Sequence, residues 1–222
     1  MSSGEGPAGE RPLRADARRN VEKVMEAAAE AFARDGLDVP LEDIARSAGV
    51  RAGTIYNRFG GREGLLDAVV ADVAAGWLRA VIDRATGQGT AWGRFAAFVQ
   101  GMCEEQAADP VFNDVFSRRY PDAPDLRAVC DQSLAFGAEL IRDAQSCGTL
   151  RPGFSAGDLA RIFSVNAYLV RDRPAGDDGW RRTLQFTLDG LRAQPDSTSE
   201  VGTCNPAYTG RSAADIAPNE ES

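Results

Sequence analysis

The sequence predicts an all-α protein with a small N-terminal group of short helices followed by a larger helical body. Three observations carry that prediction. Apolar residues recur three and four apart through most of the chain. No stretch alternates with period two, so no sheet is expected. Glycine at Gly36, Gly49 and Gly60-Gly61 cuts the N-terminal third into short pieces.

Length and composition bound the rest. The 222 residues suffice for one large domain or for a small domain plus a larger one, and 43% apolar content supports a packed core. No apolar run approaches the roughly 18 residues that span a membrane. The N-terminal MSSGEGPAGERPLR lacks the basic-then-apolar order of a secretory signal, so a cytoplasmic protein without membrane attachment is expected. Cys103, Cys130, Cys147 and Cys204 are widely spaced and contain no CxxC pair. They read as buried thiols, with disulfides and zinc disfavoured, and no metal or cofactor is expected.

Residues 1–13, rich in Gly, Ser, Glu and Pro, read as a flexible arm. A helix follows from Ala15, with Val21, Val24, Met25, Ala28 and Phe32 on one face and Asp35-Gly36 at its end. A short second helix places Leu41, Ile44, Ala45 and Ala48 inward before Gly49 breaks it. A third spans Arg51–Phe59, with Ile55 and Phe59 inward and Gly53 and Asn57 on the opposite side. A long helix begins near Arg62, with Leu66, Val69, Val70, Val73, Trp77 and Val81 as its stripe. Beyond it the pattern predicts helices over Thr90–Ala108, Val111–Ser117, Asp125–Cys147, Ala156–Val170 and Asp178–Ala193, with a loop over GTLRPGFS. The polar stretch 194–222 is expected to be disordered.

Charge is uneven along this order. The net charge is −8, yet residues 1–62 carry ten basic and ten acidic residues, so the remainder supplies all of it. Between Asp43 and Glu63 there is no acid, while Arg46, Arg51, Arg58 and Arg62 all fall inside. Two short helices joined by Ala48-Gly49-Val50, braced by a first helix, make a helix-turn-helix over about residues 40–59. Its second helix has a small, polar outer face, suited to a major groove about 12 Å wide, with flanking arginines for phosphates. Clearing carboxylates from the window removes the repulsion that phosphates would meet.

The same residues resemble a known family. Ile44-Ala45, Ala48-Gly49-Val50, Gly53-Thr54-Ile55-Tyr56, Phe59 and Arg62-Glu63-x-Leu65-Leu66, with Ala29-x-x-Phe32-x-x-x-Gly36 upstream, match the N-terminal signature of TetR-type (TetR/AcrR) transcriptional regulators. The resemblance covers about residues 18–70. It implies a DNA-binding domain over 14–62 and a helical ligand-binding and dimerisation domain over 63–193. It further implies a homodimeric repressor on a palindromic double-stranded operator, released by a small-molecule effector, with no enzymatic activity. Carried over by position, Pro40, Glu42, Arg51, Ala52, Gly53, Thr54, Tyr56, Asn57, Arg58 and Arg62 form the DNA-binding set, with Arg62 reaching a phosphate. Pro40 stands where the family has a capping hydroxyl, Arg58 replaces a common histidine, and Gly60-Gly61 replaces a stiffer turn.

In the larger half, Trp77, Phe95, Phe98, Met102, Phe112, Phe116, Gln132, Phe136, Phe163 and Asn166 are pocket candidates, with Glu104 a further polar one. Leu159, Ile162, Leu184, Leu188 and Leu191 are candidates for the dimer interface. Arg11, Arg14, Arg18 and Arg19 are either phosphate followers or a solvated terminus. The absence of histidine, a P-loop, GxGxxG and clustered metal ligands argues against an enzyme. A binding module that has lost DNA contact stays open as the alternative, supported by Glu42, Gly60 and Gly61.

Overall fold

A computed structural model describes residues 10–193 apart from Arg119, Pro121, Asp172 and Ala175, with side chains from Arg18 onward. Nine helices run through the described residues: α1 (Glu10–Asp35), α2 (Leu41–Ala48), α3 (Ala52–Phe59), α4 (Arg62–Thr86), α5 (Ala91–Ala108), α6 (Pro110–Ser117), α7 (Pro124–Ser146), α8 (Ala156–Arg171) and α9 (Gly179–Leu191). No strand forms among them; one isolated antiparallel bridge joins Leu150 to Arg192. The all-α expectation holds. The chain divides into two compact units between Val70 and Ala71, inside α4. Helix α1 starts at Glu10, inside the stretch read as an arm; residues 1–9 and the tail from 194 lie outside the described residues.

The first unit is a three-helix domain with the start of α4. Val24, Ala28 and Phe32 of α1 meet a core that also holds Leu37, Ile44, Ala45, Ile55, Leu65 and Leu66, all nearly inaccessible. Gly49 (φ 68°) supplies the left-handed turn between α2 and α3, and Val50 N–H closes it on Ala45 O at 2.9 Å. Gly64 sits where the α3 carbonyl of Phe59 passes α4, so closely that any Cβ there would collide with it.

The second unit is stapled by caps and aromatic pairs. Thr90 Oγ1 accepts Gly93 N–H at 2.9 Å to start α5. Asp109 accepts the Val111 and Phe112 amides at 2.7 and 3.2 Å, with Pro110 in the first turn of α6. At α8, Ser155 and Asp158 exchange hydrogen bonds in the manner of a capping box. The Ser155 hydroxyl and amide, with Arg161, hold the Asp158 carboxyl below its usual range. Gly137 lets α7 press on α8: an added Cβ would overlap Leu159 Cδ2 and lie 3.2 Å from Phe98.

Two expectations need correction. Val73, read as part of the α4 stripe, is 50% exposed, because the buried face downstream runs through Ala74, Leu78, Val81 and Ile82. Cysteine is not uniformly reduced: Cys103 and Cys130 are free thiols, but Cys147 is disulfide-bonded. Cys147 lies two residues from Thr149, whose carbonyl accepts Ala193 N–H at 3.1 Å, so the exit of α9 runs beside it. Cys204 lies outside the described residues. Burial pushes the Cys130 thiol up to about 12, with the adjacent Asp131 adding to the shift, and raises the more deeply buried Cys103 as well.

Candidate nucleic-acid interface

Helix α3 has one buried side chain, Ile55, and Phe59 at its end is half-buried. Ile55 is fully buried, which fixes the rotation of the helix and turns the other face outward. Arg51, Gly53, Tyr56, Asn57 and Arg58 are exposed, and Ala52 and Thr54 half-buried. An added Cβ at Gly53 would meet no heavy atom within 4 Å. Arg51 occupies the N-cap with extended backbone and no side-chain cap, and Gly60 (φ 76°) ends the helix on the Tyr56 carbonyl. Tyr56 is 55% exposed; its ring lies over Gly61, where a Cβ would stand 3.6 Å from Cδ1 and Cε1.

Helix α2 begins at Pro40 without a side-chain cap, and Pro40 and Glu42 are exposed. Arg46 bonds Asp43 at 2.8 Å, so its charge is partly matched within α2. Arg62 differs from the other arginines of the window. It is half-buried, its Nη1 donates to Leu37 O at 2.7 Å, and its Nη2 donates to Val39 O. Of the ten positions carried over for DNA, the structure brings Arg51 to Arg58 onto one open helix. It places Pro40 and Glu42 at the start of α2, and Arg62 on the backbone before Pro40.

The family model "Bacterial regulatory proteins, tetR family" matches residues 24–69. The model "Transcriptional regulator SbtR-like, C-terminal domain" matches residues 89–193. The chain belongs to the TetR family. A TetR transcription regulatory protein from Mycobacterium vanbaalenii is 31% identical, over 82% of this chain and 99% of that one, with a TM-score of 0.41. The ketosteroid transcriptional regulator KstR2 of Mycobacterium tuberculosis shares the fold at 20% identity, covering 80% and 96% of the two chains with a TM-score of 0.53. RolR, solved with resorcinol, does so at 18% identity over 81% and 90%, with a TM-score of 0.59. Curated proteins yield no match. The chain is therefore a TetR-family DNA-binding transcriptional regulator.

The TetR-type C-terminal half places its sequence candidates unevenly. Phe95, Phe98, Met102, Phe112, Phe136 and Phe163 are buried, and edge-on contacts tie Phe98 to Phe136 (5.1 Å) and to Phe163 (6.1 Å). Trp77, Phe116 and Gln132 are half-buried; Trp77 meets Phe112 at 5.5 Å and Phe112 meets Phe116 at 4.5 Å. Asn166 Nδ2 donates to Cys103 O and Gln106 Oε1, which makes it a tie between α8 and α5. Glu104 pairs with Arg181 on the surface. An apolar groove between α8 and α9 is lined by Ile162, Val165, Asn166, Leu169, Trp180 and Leu184, among others. Asn166 is the one pocket candidate on it.

Among the interface candidates, Leu159, Leu184 and Leu188 are buried within the subunit, and Ile162 and Leu191 are half-buried. The exposed apolar side chains of these helices are instead Val165, Tyr168, Leu169 and Phe186. Sequence reasoning missed them. The signal was present: α8 carries a second apolar row at 165, 168 and 169 beside the buried row at 159, 163, 167 and 170. No helix among the described residues is long and apolar enough to cross a membrane.

Proposed function

We propose that the chain is a cytoplasmic homodimeric repressor that holds a two-fold symmetric operator through α3 and is released by a small-molecule effector. The observation that carries this reading is the outer face of α3: Arg51, Gly53, Tyr56, Asn57 and Arg58 are all exposed, and no carboxylate lies between Asp43 and Glu63. In this reading Arg51 and Arg58 meet phosphates, Thr54 and Tyr56 meet phosphates or thymine methyls, and Asn57 reads a base edge. Ala52 and Gly53 leave room for the backbone to approach. Pro40 and Glu42 flank the contact.

Dimerisation is supported by the exposed Val165, Tyr168, Leu169 and Phe186 on α8 and α9. Two recognition helices then meet successive major grooves when held roughly 34–36 Å apart. Helix α4 contributes residues to both units, so an effector that favours another disposition of α4 would change that spacing. A coupling of about 1–3 kcal/mol would weaken operator affinity about 5–150-fold. RolR, of the same fold, was solved with resorcinol. The half-buried Trp77, Phe116 and Gln132, which reach both core and surface, are the first effector contacts to examine.

The test is selection of fragments from sheared host DNA at physiological salt. Recovery of one or a few two-fold symmetric sites, bound by a dimer, is expected. Retention of random fragments only, lost on modest addition of salt, would refute the reading.

A further inference from the structure

The first turn of α4 grips both ends of the helix-turn-helix. At one end the Phe59 carbonyl, last residue of α3, passes Gly64 so tightly that no side chain fits there. At the other, Arg62 donates from Nη1 to Leu37 O and from Nη2 to Val39 O, the backbone immediately before α2. Leu37 and Val39 are themselves buried in the core of this unit. The entry to α2 needs such a tie, since Pro40 offers no side-chain cap and α2 has only eight residues. Two parallel donors on one planar group fix distance and angle together, which a single ammonium cannot do.

We propose that Arg62 is a positioning residue for DNA recognition, acting through the Leu37 and Val39 carbonyls and not as a phosphate ligand. It locks α2, and through the α2–α3 turn the recognition helix, to the start of α4. The proposal rests on the DNA-binding role of α3 given above. It assigns to Arg62 the specificity of the complex and not its charge.

The experiment compares wild type, Arg62→Lys, Arg62→Ala and, as a phosphate reference, Arg51→Ala. Affinity for the selected operator and for random DNA is measured over a range of salt concentrations. Hydrogen exchange is followed at Asp43 and Ile44, whose amides bond Pro40 O at 3.0 and 3.3 Å. Both Arg62 variants should lose roughly ten- to a hundredfold of operator affinity, keep their affinity for random DNA, and keep the wild-type salt slope. Exchange at Asp43 and Ile44 should quicken in both. Arg51→Ala should instead reduce the slope by about one on every sequence. A phosphate role would appear as a lysine variant that binds like wild type and an alanine variant with a slope lower by about one; that result overturns the proposal. Equal loss on operator and random DNA would mean general unfolding, and overturns it too. If wild type itself shows no salt-dependent binding, the DNA-binding role of α3 fails, and the positioning role fails with it. In that case the exchange rates still report separately whether the tie to α2 exists.

Discussion

Replacing Gly53 by alanine should make the protein more stable and a poorer DNA binder. Gly53 lies in the first turn of α3, its φ is outside the left-handed region, and an added Cβ meets nothing within 4 Å. Within the fold the substitution therefore adds no clash and removes the conformational freedom that glycine brings to a helix, a gain of roughly 0.5–1 kcal/mol. For a chain of this length that raises Tm by about 1–4 °C. Against DNA the balance reverses. If α3 lies flush in the groove at Gly53, the methyl occupies space the duplex needs, and overpacking costs about 1–3 kcal/mol, or roughly 5- to 150-fold in affinity. Thermal melting and fluorescence anisotropy on the selected operator measure the two effects on one preparation. A higher Tm with affinity within about twofold of wild type would show that α3 does not meet DNA at Gly53. A lower Tm would show that the space around this glycine has been misjudged.

Other predictions follow from packing and ionisation. Gly137→Val should destabilise by about 1–3 kcal/mol, because its Cβ overlaps Leu159 Cδ2 in a closed core; an unchanged melting curve would contradict that packing. The double substitution Tyr168→Ser with Phe186→Ser should shift the sedimentation profile from dimer to monomer without lowering helix content, and a dimer that persists would move the interface elsewhere. Cys130, raised to about 12, should react with iodoacetamide at pH 8 roughly a thousandfold more slowly than an ordinary exposed thiol, and Cys103 should also be inert until the protein unfolds; mass spectrometry of native and denatured samples distinguishes them.

The short N-terminal helices were legible because every local signal agreed on them. Leu41, Ile44, Ala45 and Ala48 show one face of α2, Gly49 its end, and Ile55 the inner side of α3, and the structure buries each of those apolar residues. Such agreement between period, cap and breaker leaves few alternatives. Val73 was misread for the opposite reason. A stripe extrapolated through a 25-residue helix assumes one continuous buried face, and the division between units falls at Val70–Ala71. The disulfide at Cys147 was missed because the four cysteines are widely spaced along the chain, and wide spacing carries no signal of pairing.

The site shows where sequence pattern stops being informative. Exposure of Arg51, Tyr56 and Asn57 follows once Ile55 is known to be buried, since one anchor fixes the rotation of an eight-residue helix. Helix α8 has no such asymmetry. Its two apolar rows are equally good candidates for the core, and packing against Gly137 and Phe98 decides in favour of Leu159 and Phe163, leaving Tyr168 outward. Arg62 is harder still. A guanidinium at the start of a helix satisfies a phosphate or a pair of carbonyls equally well, and the carbonyls in question lie 25 and 23 residues upstream. Its residue type thus marks a strong planar donor without marking the acceptor. Only the fold, by bringing the backbone before Pro40 against the first turn of α4, selects the acceptor. For the same reason charge-conserving replacement, not charge removal, is the informative change at this position.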